Sequence, residues 1–313
     1  MNKLVKKICI KCGNIGHTLR ICENSVTSFG LIVYTCDSDI DINGKIYPQD
    51  NVYSCSLSCK TNDQKKIYTI YRTLFEKIEK NISFVLVERR DTISFINLIQ
   101  GIYPDIKDFL NVPKIVLNLI KELTCEERYK LQNCDFDYLW AIAGSARKIK
   151  SECLVKFEFL YSNLTFLFSI VNCSYLDANY IIPKGRLKIH ETPQECAIRE
   201  FCEETGFSPD CIIIDPRFNN VNLQDSFLGS DYKSYKNVYY VAKLLPKSKI
   251  IVPLHNIKEQ VKEVRNVGLF HINSICDIIR PSDKKILSLL HQVSTLIPFA
   301  FSVPSESDAK NMK

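Results

Sequence analysis

The chain has 313 residues, 46% of them hydrophobic and 24% charged, with a net charge of +6 at pH 7; this excludes disordered and fibrous classes and leaves room for one large core or two smaller ones. Its longest apolar runs, such as 164–171, fall well short of the ~20 residues a membrane helix needs, so no membrane partner is expected. Fourteen cysteines in a chain opening Asn2-Lys3-Leu4-Val5-Lys6-Lys7, which is no signal peptide, read as reduced thiols of a cytoplasmic protein, and basic clusters there and at Arg147-Lys148-Lys150 favour a polyanionic partner.

The first element is Cys9-x2-Cys12-x4-His17-x4-Cys22. Three thiolates and an imidazole at these spacings suit a tetrahedral Zn²⁺, and four protein ligands make the ion structural rather than catalytic. Gly13 and Gly16 let so short a loop wrap the ion. The pattern matches a CCHC zinc knuckle, with residues 1–23 as its domain. Such knuckles bind single-stranded nucleic acid, here expected to be RNA, and Lys3, Lys6, Lys7, Lys11 and Arg20 offer phosphate contacts. Ile10 and Ile15 stand where an aromatic is common, which weakens base stacking. The competing reading is a zinc staple that orders the N-terminus or docks a protein.

A second domain is expected over 24–280. A strand at about 28–36 leads through a polar loop at 37–50 to a helix at 64–80, with Ile67, Ile70, Tyr71, Leu74, Phe75 and Ile78 on one stripe. A strand at 84–88 comes next. Short helices at 112–123, 125–133, 135–146 and 151–160 then suggest a helical insertion over about 104–171. Residues 181–185 read as a strand entering a loop, and further strands are expected at 211–215, 238–245 and 264–272. A helix at 282–296 opens on Pro281-Ser282-Asp283 within a C-terminal segment 281–303, and the polar tail 304–313 reads as disordered.

Between those strands lies the most informative stretch. Thr192 can cap a helix, Pro193 suits its first position, Glu195 completes a capping box, and Gly206 suits the left-handed residue beyond its end, so the helix spans about 193–205. At ~100° per residue, Glu203 and Glu204 lie about 300° and 40° round from Glu200, which puts three carboxylates on one stripe. Their mutual repulsion costs several tenths of a kcal/mol per pair, and two of them oppose the helix dipole. A bound cation offsets that cost, and an all-oxygen donor set points to Mg²⁺ or Mn²⁺. The alternative is a solvated acidic face paired with Arg199 and Lys188.

Gly185, Glu191, Arg199, Glu200, Phe201, Glu203, Glu204, Gly206 and Phe207 form the pattern G-x5-E-x7-R-E-U-x-E-E-x-G-U, where U is apolar. This resembles the Nudix hydrolase signature at every defined position. The resemblance implies an α/β/α sandwich with a mixed sheet and hydrolysis of a nucleoside diphosphate linked to another moiety. It further implies that Glu200, Glu203 and Glu204 ligate the metal, that Arg199 orients them, and that Gly185, Glu191 and Gly206 support the loop-helix-loop.

Pro183-Lys184-Gly185, the run 84–92 ending in Glu88-Arg89-Arg90-Asp91-Thr92, the Ser28-Phe29-Gly30 strand entry and Asp135-Phe136-Asp137-Tyr138-Leu139-Trp140 resemble Nudix mRNA-decapping proteins of large nucleocytoplasmic DNA viruses, with poxviral and asfarviral members. That resemblance implies pyrophosphate hydrolysis of the 5′ cap of mRNA, giving methylated GDP and 5′-monophosphate RNA, with Lys184 stabilising the leaving phosphate. Glu263, rather than Glu259, is expected as a further metal ligand or general base, because a residue beside a strand is easier to place than one in a loop. Gly268-Leu269 stands where related enzymes often carry an acid and a Trp. Two other functions remain open: a Nudix enzyme for small substrates such as dinucleoside polyphosphates or diphosphoinositol polyphosphates, and a non-catalytic RNA-binding protein.

Overall fold

A computed structural model of the chain describes residues 8–36, 62–78, 81–106, 112–145, 148–173, 175–176, 178–245 and 263–297. The expected loop at 37–50 and tail at 304–313, together with Lys3, Lys6, Lys7, Arg147, Glu259 and Lys262, lie outside these residues. The strands are β1 (Val26–Thr35), β2 (Ser83–Arg89), β3 (Tyr180–Ile181), β4 (Lys184–Arg186), β5 (Ile212–Ile214), β6 (Gln224–Leu228), β7 (Ser234–Leu244) and β8 (Val264–His271). They form one mixed eight-stranded sheet. At its centre β1 runs parallel to β7 from Val26↔Tyr235 to Tyr34↔Lys243. The remaining pairs are antiparallel, including β1 with β4 through Phe29↔Gly185 and β2 with β8 through Phe84↔Phe270.

The middle of β1 explains that central position. Phe29 and the run Leu31–Tyr34 are buried, and a continuous apolar run, rather than an alternating one, suits a strand covered on both faces. Against the sheet pack α1 (Asn62–Glu76) and three helices from the second half of the chain. All contribute to one core that includes Phe75, Phe201, Leu287 and Leu290.

A second core is built from α2 (Ile93–Ile99), α3 (Lys114–Glu122), α4 (Cys125–Asn133), α5 (Phe136–Ala143), α6 (Lys150–Tyr161) and α7 (Leu164–Ile170). Phe95, Leu98, Ile120, Leu131, Leu139, Phe157 and Leu160 fill it. This helical cluster begins ahead of the expected insertion, because α2, not read as a helix from the sequence, joins it. Buried Glu127 explains part of the assembly. Its carboxylate accepts from the Thr92 amide (2.6 Å) and hydroxyl (2.9 Å) and from the Thr124 amide (2.9 Å), tying the starts of α2 and α4 together. Thr92 and Thr124 in turn cap those helices.

The chain returns to the sheet through β3 and β4, then forms α8 (Pro193–Thr205), and ends in α9 (Ile275–Ile278) and α10 (Lys284–Leu296). Two expected features differ. The single strand at 181–185 is two short strands broken at Ile182-Pro183, since proline cannot donate in the ladder. β6, an exposed polar edge strand, carries too weak an apolar alternation to be read in advance. No single helix among the described residues is long and apolar enough to cross a membrane.

Candidate active site

The helix α8 forms as its sequence requires. The Thr192 hydroxyl accepts from the Glu195 amide while the Glu195 carboxylate accepts from the Thr192 amide, Pro193 opens the first turn, and Gly206 closes the helix at φ 78°. Helix α8 packs on β1 and β4, which brings its acidic stripe against the strand carrying Lys184 and Gly185. The contact is close: a Cβ on Gly185 would lie 2.0–2.2 Å from the carboxylate of Glu200.

Arg199 knots the acidic groups together. Its guanidinium donates to Glu191 Oε1 (2.6 Å) and Oε2 (3.0 Å), Glu200 Oε1 (2.7 Å), Glu203 Oε2 (2.8 Å) and the Arg186 carbonyl (3.0 Å). Glu191 also accepts from the Lys188 amide (2.9 Å) across the loop. Burial pushes the Glu191 carboxyl up, but the Arg199 and Lys188 hydrogen bonds outweigh it and leave it below its usual range. Glu203 takes a further ion pair from Lys188 Nζ (3.0 Å). The Arg199 and Lys188 pairs weighed as the alternative to cation binding are therefore both present, and they neutralise only part of the cluster.

Glu204 is different, being buried. Its Oε2 accepts from the Lys184 amide at 3.3 Å. Burial pushes its carboxyl up to about 8 against the opposing pull of Lys184 and Arg89, with Glu200 and Glu263 adding repulsion. Burial likewise raises Glu200, which also feels Glu203 and Glu263. Four carboxylates thus share one region: three from α8, and Glu263 from the residue preceding β8, whose carbonyl accepts from the Arg90 amide (2.9 Å). Oxygen donors, crowding without side-chain cover at Gly185, and a buried acid raised by desolvation together suit a hard divalent cation.

Sequence reasoning missed three neighbours of Lys184. Burial lowers the Lys184 ammonium, with Arg89 acting in the same direction and Glu204, Asp225 and Asp283 opposing it. Arg89 ends β2 and Asp225 stands on β6, where it accepts from Asn237 Nδ2 (2.9 Å) and the Tyr239 hydroxyl (3.2 Å). Asp283, just before α10, accepts from Asn179 Nδ2 (2.7 Å). Arg89 was visible in the Glu88-Arg89-Arg90 run, but Asp225 and Asp283 lie more than 40 residues from Lys184, and no local pattern marks them.

The N-terminal motif is also assembled. The ligand atoms of Cys9, Cys12, His17 and Cys22 all lie within 4.8 Å of one another, with Gly13 at φ 76° and Gly16 at φ 103°. Burial raises the Cys12 thiol, but hydrogen bonds from Asn14, Asn24 and the neighbouring thiols outweigh it and bring it down to about 7, favouring the thiolate that a soft cation takes. The motif is seated on the sheet: the Thr27 amide donates to the Lys11 carbonyl (2.8 Å), and a Cβ on Gly13 would strike the Phe29 ring at 2.5 Å. The Lys11 ammonium donates to the Cys22 carbonyl (2.9 Å), and Arg20 is exposed. Ile15, Leu19 and Ile21 are exposed too.

Comparison with known proteins bears on the same site. A mimivirus (Acanthamoeba polyphaga) protein, provisionally named an mRNA-decapping protein, is 26% identical over 298 residues, covering 76% of this chain and 80% of that one. The mRNA-decapping protein g5R of African swine fever virus (isolate Pig/Kenya/KEN-50/1950) is 29% identical over 171 residues, covering 52% of this chain and 66% of its own length. Among solved structures, the C. elegans Ap4A hydrolase aligns over 88% of this chain and 100% of its own, at 11% identity and a TM-score of 0.37. Residues 172–290 match the NUDIX domain, a stretch that holds Lys184, the whole of α8 and Glu263, and the chain therefore carries a NUDIX domain over that stretch.

Proposed function

We propose that this chain is an mRNA-decapping enzyme that hydrolyses a pyrophosphate bond of the 5′ cap, releasing methylated GDP and 5′-monophosphate RNA. The observation that carries the reading is the acidic stripe of Glu200, Glu203 and Glu204 on α8, set against the strand of Lys184 and Gly185 with Glu204 accepting from the Lys184 amide, in a chain whose viral relatives carry the decapping name. In this reading those three carboxylates and Glu263 hold Mg²⁺ or Mn²⁺. The bound cations would reduce the charge on the phosphate oxygens and lower the pKa of the attacking water.

The protein's own groups do the rest. Arg199 holds Glu191, Glu200 and Glu203 in one geometry, so the acidic groups need no reorganisation when substrate arrives. The Lys184 ammonium, beside the Glu204 carboxyl, stabilises the phosphate leaving with the RNA. Glu263, at the exposed end of a fixed strand, is positioned to accept a proton from water or to complete the metal shell. The Cys9, Cys12, His17 and Cys22 set takes Zn²⁺ and holds the motif that binds single-stranded RNA, with Lys6, Lys7, Lys11 and Arg20 offering the phosphate contacts. The compartment is the cytoplasm, the host's if the protein is viral.

The test is product analysis of cap-labelled RNA with Mg²⁺ or Mn²⁺, with excess uncapped RNA as competitor. Wild type should release methylated GDP and be inhibited by the competitor. Glu204→Gln should lower turnover by roughly 10²-fold or more while RNA affinity is retained. Hydrolysis of free polyphosphate nucleotides with capped RNA untouched would move the function to small substrates.

A further inference from the structure

The geometry points to a modification site outside the catalytic cluster: we propose that Cys125 and Cys173 form a reversible disulfide that clasps the helical insertion where the chain returns to the sheet. Cys125 is the first residue of α4, and its sulfur lies 2.7 Å from that of Cys173. A bonded pair sits at about 2.05 Å, so little movement separates the two states.

The backbone around the pair is held independently of the sulfurs. The Cys125 amide donates to the Tyr175 carbonyl (3.0 Å), and Thr124 and Tyr175 form a parallel bridge. Arg128, one turn along α4, donates to the carbonyls of Val171 and Asn172, fixing the approach to Cys173 from its other side. Cys125 is exposed and Cys173 half-buried, so a soluble oxidant reaches the first and the second resolves it.

The bond would join residues 48 apart and close α4 to α7 into one ring. It would also stiffen the seam behind it. The Tyr175 ring lies 3.9 Å from the Arg280 guanidinium, and Arg280 donates to the Glu122 carbonyl at the end of α3 (2.7 Å). The site therefore joins the insertion, the entry to the Nudix segment and the turn before α10.

The chemistry is thiol–disulfide exchange with a low-molecular-weight disulfide such as glutathione disulfide. Burial and the neighbouring Cys173 push the Cys125 thiol up to about 11, so Cys125 attacks one sulfur of the oxidant through its minor thiolate form, making a mixed disulfide and releasing one glutathione. The Cys173 thiolate then displaces the second glutathione. Two protein thiols and one glutathione disulfide become one protein disulfide and two glutathione thiols.

The test uses the zinc-loaded full chain in glutathione buffers of increasing oxidised fraction, trapped by alkylation and digested without reductant, with zinc release monitored in parallel. A linked Cys125–Cys173 peptide pair is expected to grow with the oxidised fraction before zinc is lost and to vanish on reduction. Cys173→Ser should instead carry glutathione on Cys125. Wild type in which both cysteines stay fully alkylated, or in which each carries its own glutathione with no linked pair, would overturn the proposal.

Discussion

Gly185→Ala isolates one contact at the catalytic cluster. Gly185 is not among the glycines with positive φ, so alanine costs little in backbone strain there. The added methyl meets the Glu200 carboxylate, 2.0–2.2 Å away. That carboxylate is the far end of a flexible side chain and must swing aside, breaking its 2.7 Å hydrogen bond from Arg199. A charge-assisted bond of this kind contributes roughly 1.5–3 kcal/mol, an upper bound here because the displaced carboxylate regains water. At about 2–4 °C per kcal/mol for a chain of 150–250 residues, and less for a longer one, thermal unfolding should fall by only a few degrees. Catalysis is more sensitive, since displacing a reacting group by ~1 Å costs roughly 10²-fold. The assay is turnover of labelled substrate across a Mg²⁺ or Mn²⁺ titration beside a thermal melt. A near-native melt with a large loss of turnover, only partly restored by excess metal, is expected. Wild-type turnover would refute the argument that the bare Cα of Gly185 makes room for Glu200.

Arg199→Lys keeps the charge but loses the planar fork that reaches Glu191, Glu200 and Glu203 together; turnover should fall at least tenfold while overall helicity by circular dichroism is unchanged, and retained turnover would remove Arg199 from the arrangement. For Asp215, burial acts upward, but hydrogen bonds from Arg217 and Tyr34 prevail and hold its carboxyl below the usual carboxylate range. Its ionised form therefore adds stability that is complete above about pH 4 and disappears as pH falls through the lower folded-state value. Asp215→Asn should unfold at lower urea than wild type at pH 7, by roughly 1.5–3 kcal/mol, with the gap closing in acid; a gap that widens in acid would contradict the sign. Cys9→Ser with Cys12→Ser should abolish stoichiometric zinc in elemental analysis, and because the motif rests on Phe29 and Thr27, protease sensitivity should rise at 8–25 first. Zinc retained at full occupancy would dismiss the four-residue site.

The helix α8, its caps and its acidic stripe were legible in the sequence because every interaction that defines them is local: capping spans three residues, and a helix face repeats every three or four. The Cys9–Cys22 motif was legible for the same reason, its ligands being fixed within 14 residues. Periodicity also located β1, α1, β2 and most of the insertion's helices to within a few residues. It did not disclose α2, whose Ile93–Ile99 run is apolar enough to suit a strand until Thr92 and Glu127 cap it into the helical core.

Only the tertiary structure decided which distant residues share the site. The NUDIX match covers 172–290, yet the central strand β1 ends at Thr35 and β2 at Arg89, with the helical insertion between them and the matched segment. Strand pairing, set by burial of Phe29, Leu31 and their neighbours, brings β1 against β4 and so sets Gly185 under Glu200. Strand pairing and the packing of the C-terminal turn bring Arg89 from β2, Asp225 from β6 and Asp283 to one half-buried lysine, Lys184. Each of those charges is an ordinary surface residue to its own neighbours in sequence. Only the low-polarity interior, where an ionised group requires its partners close by, gives them a common role.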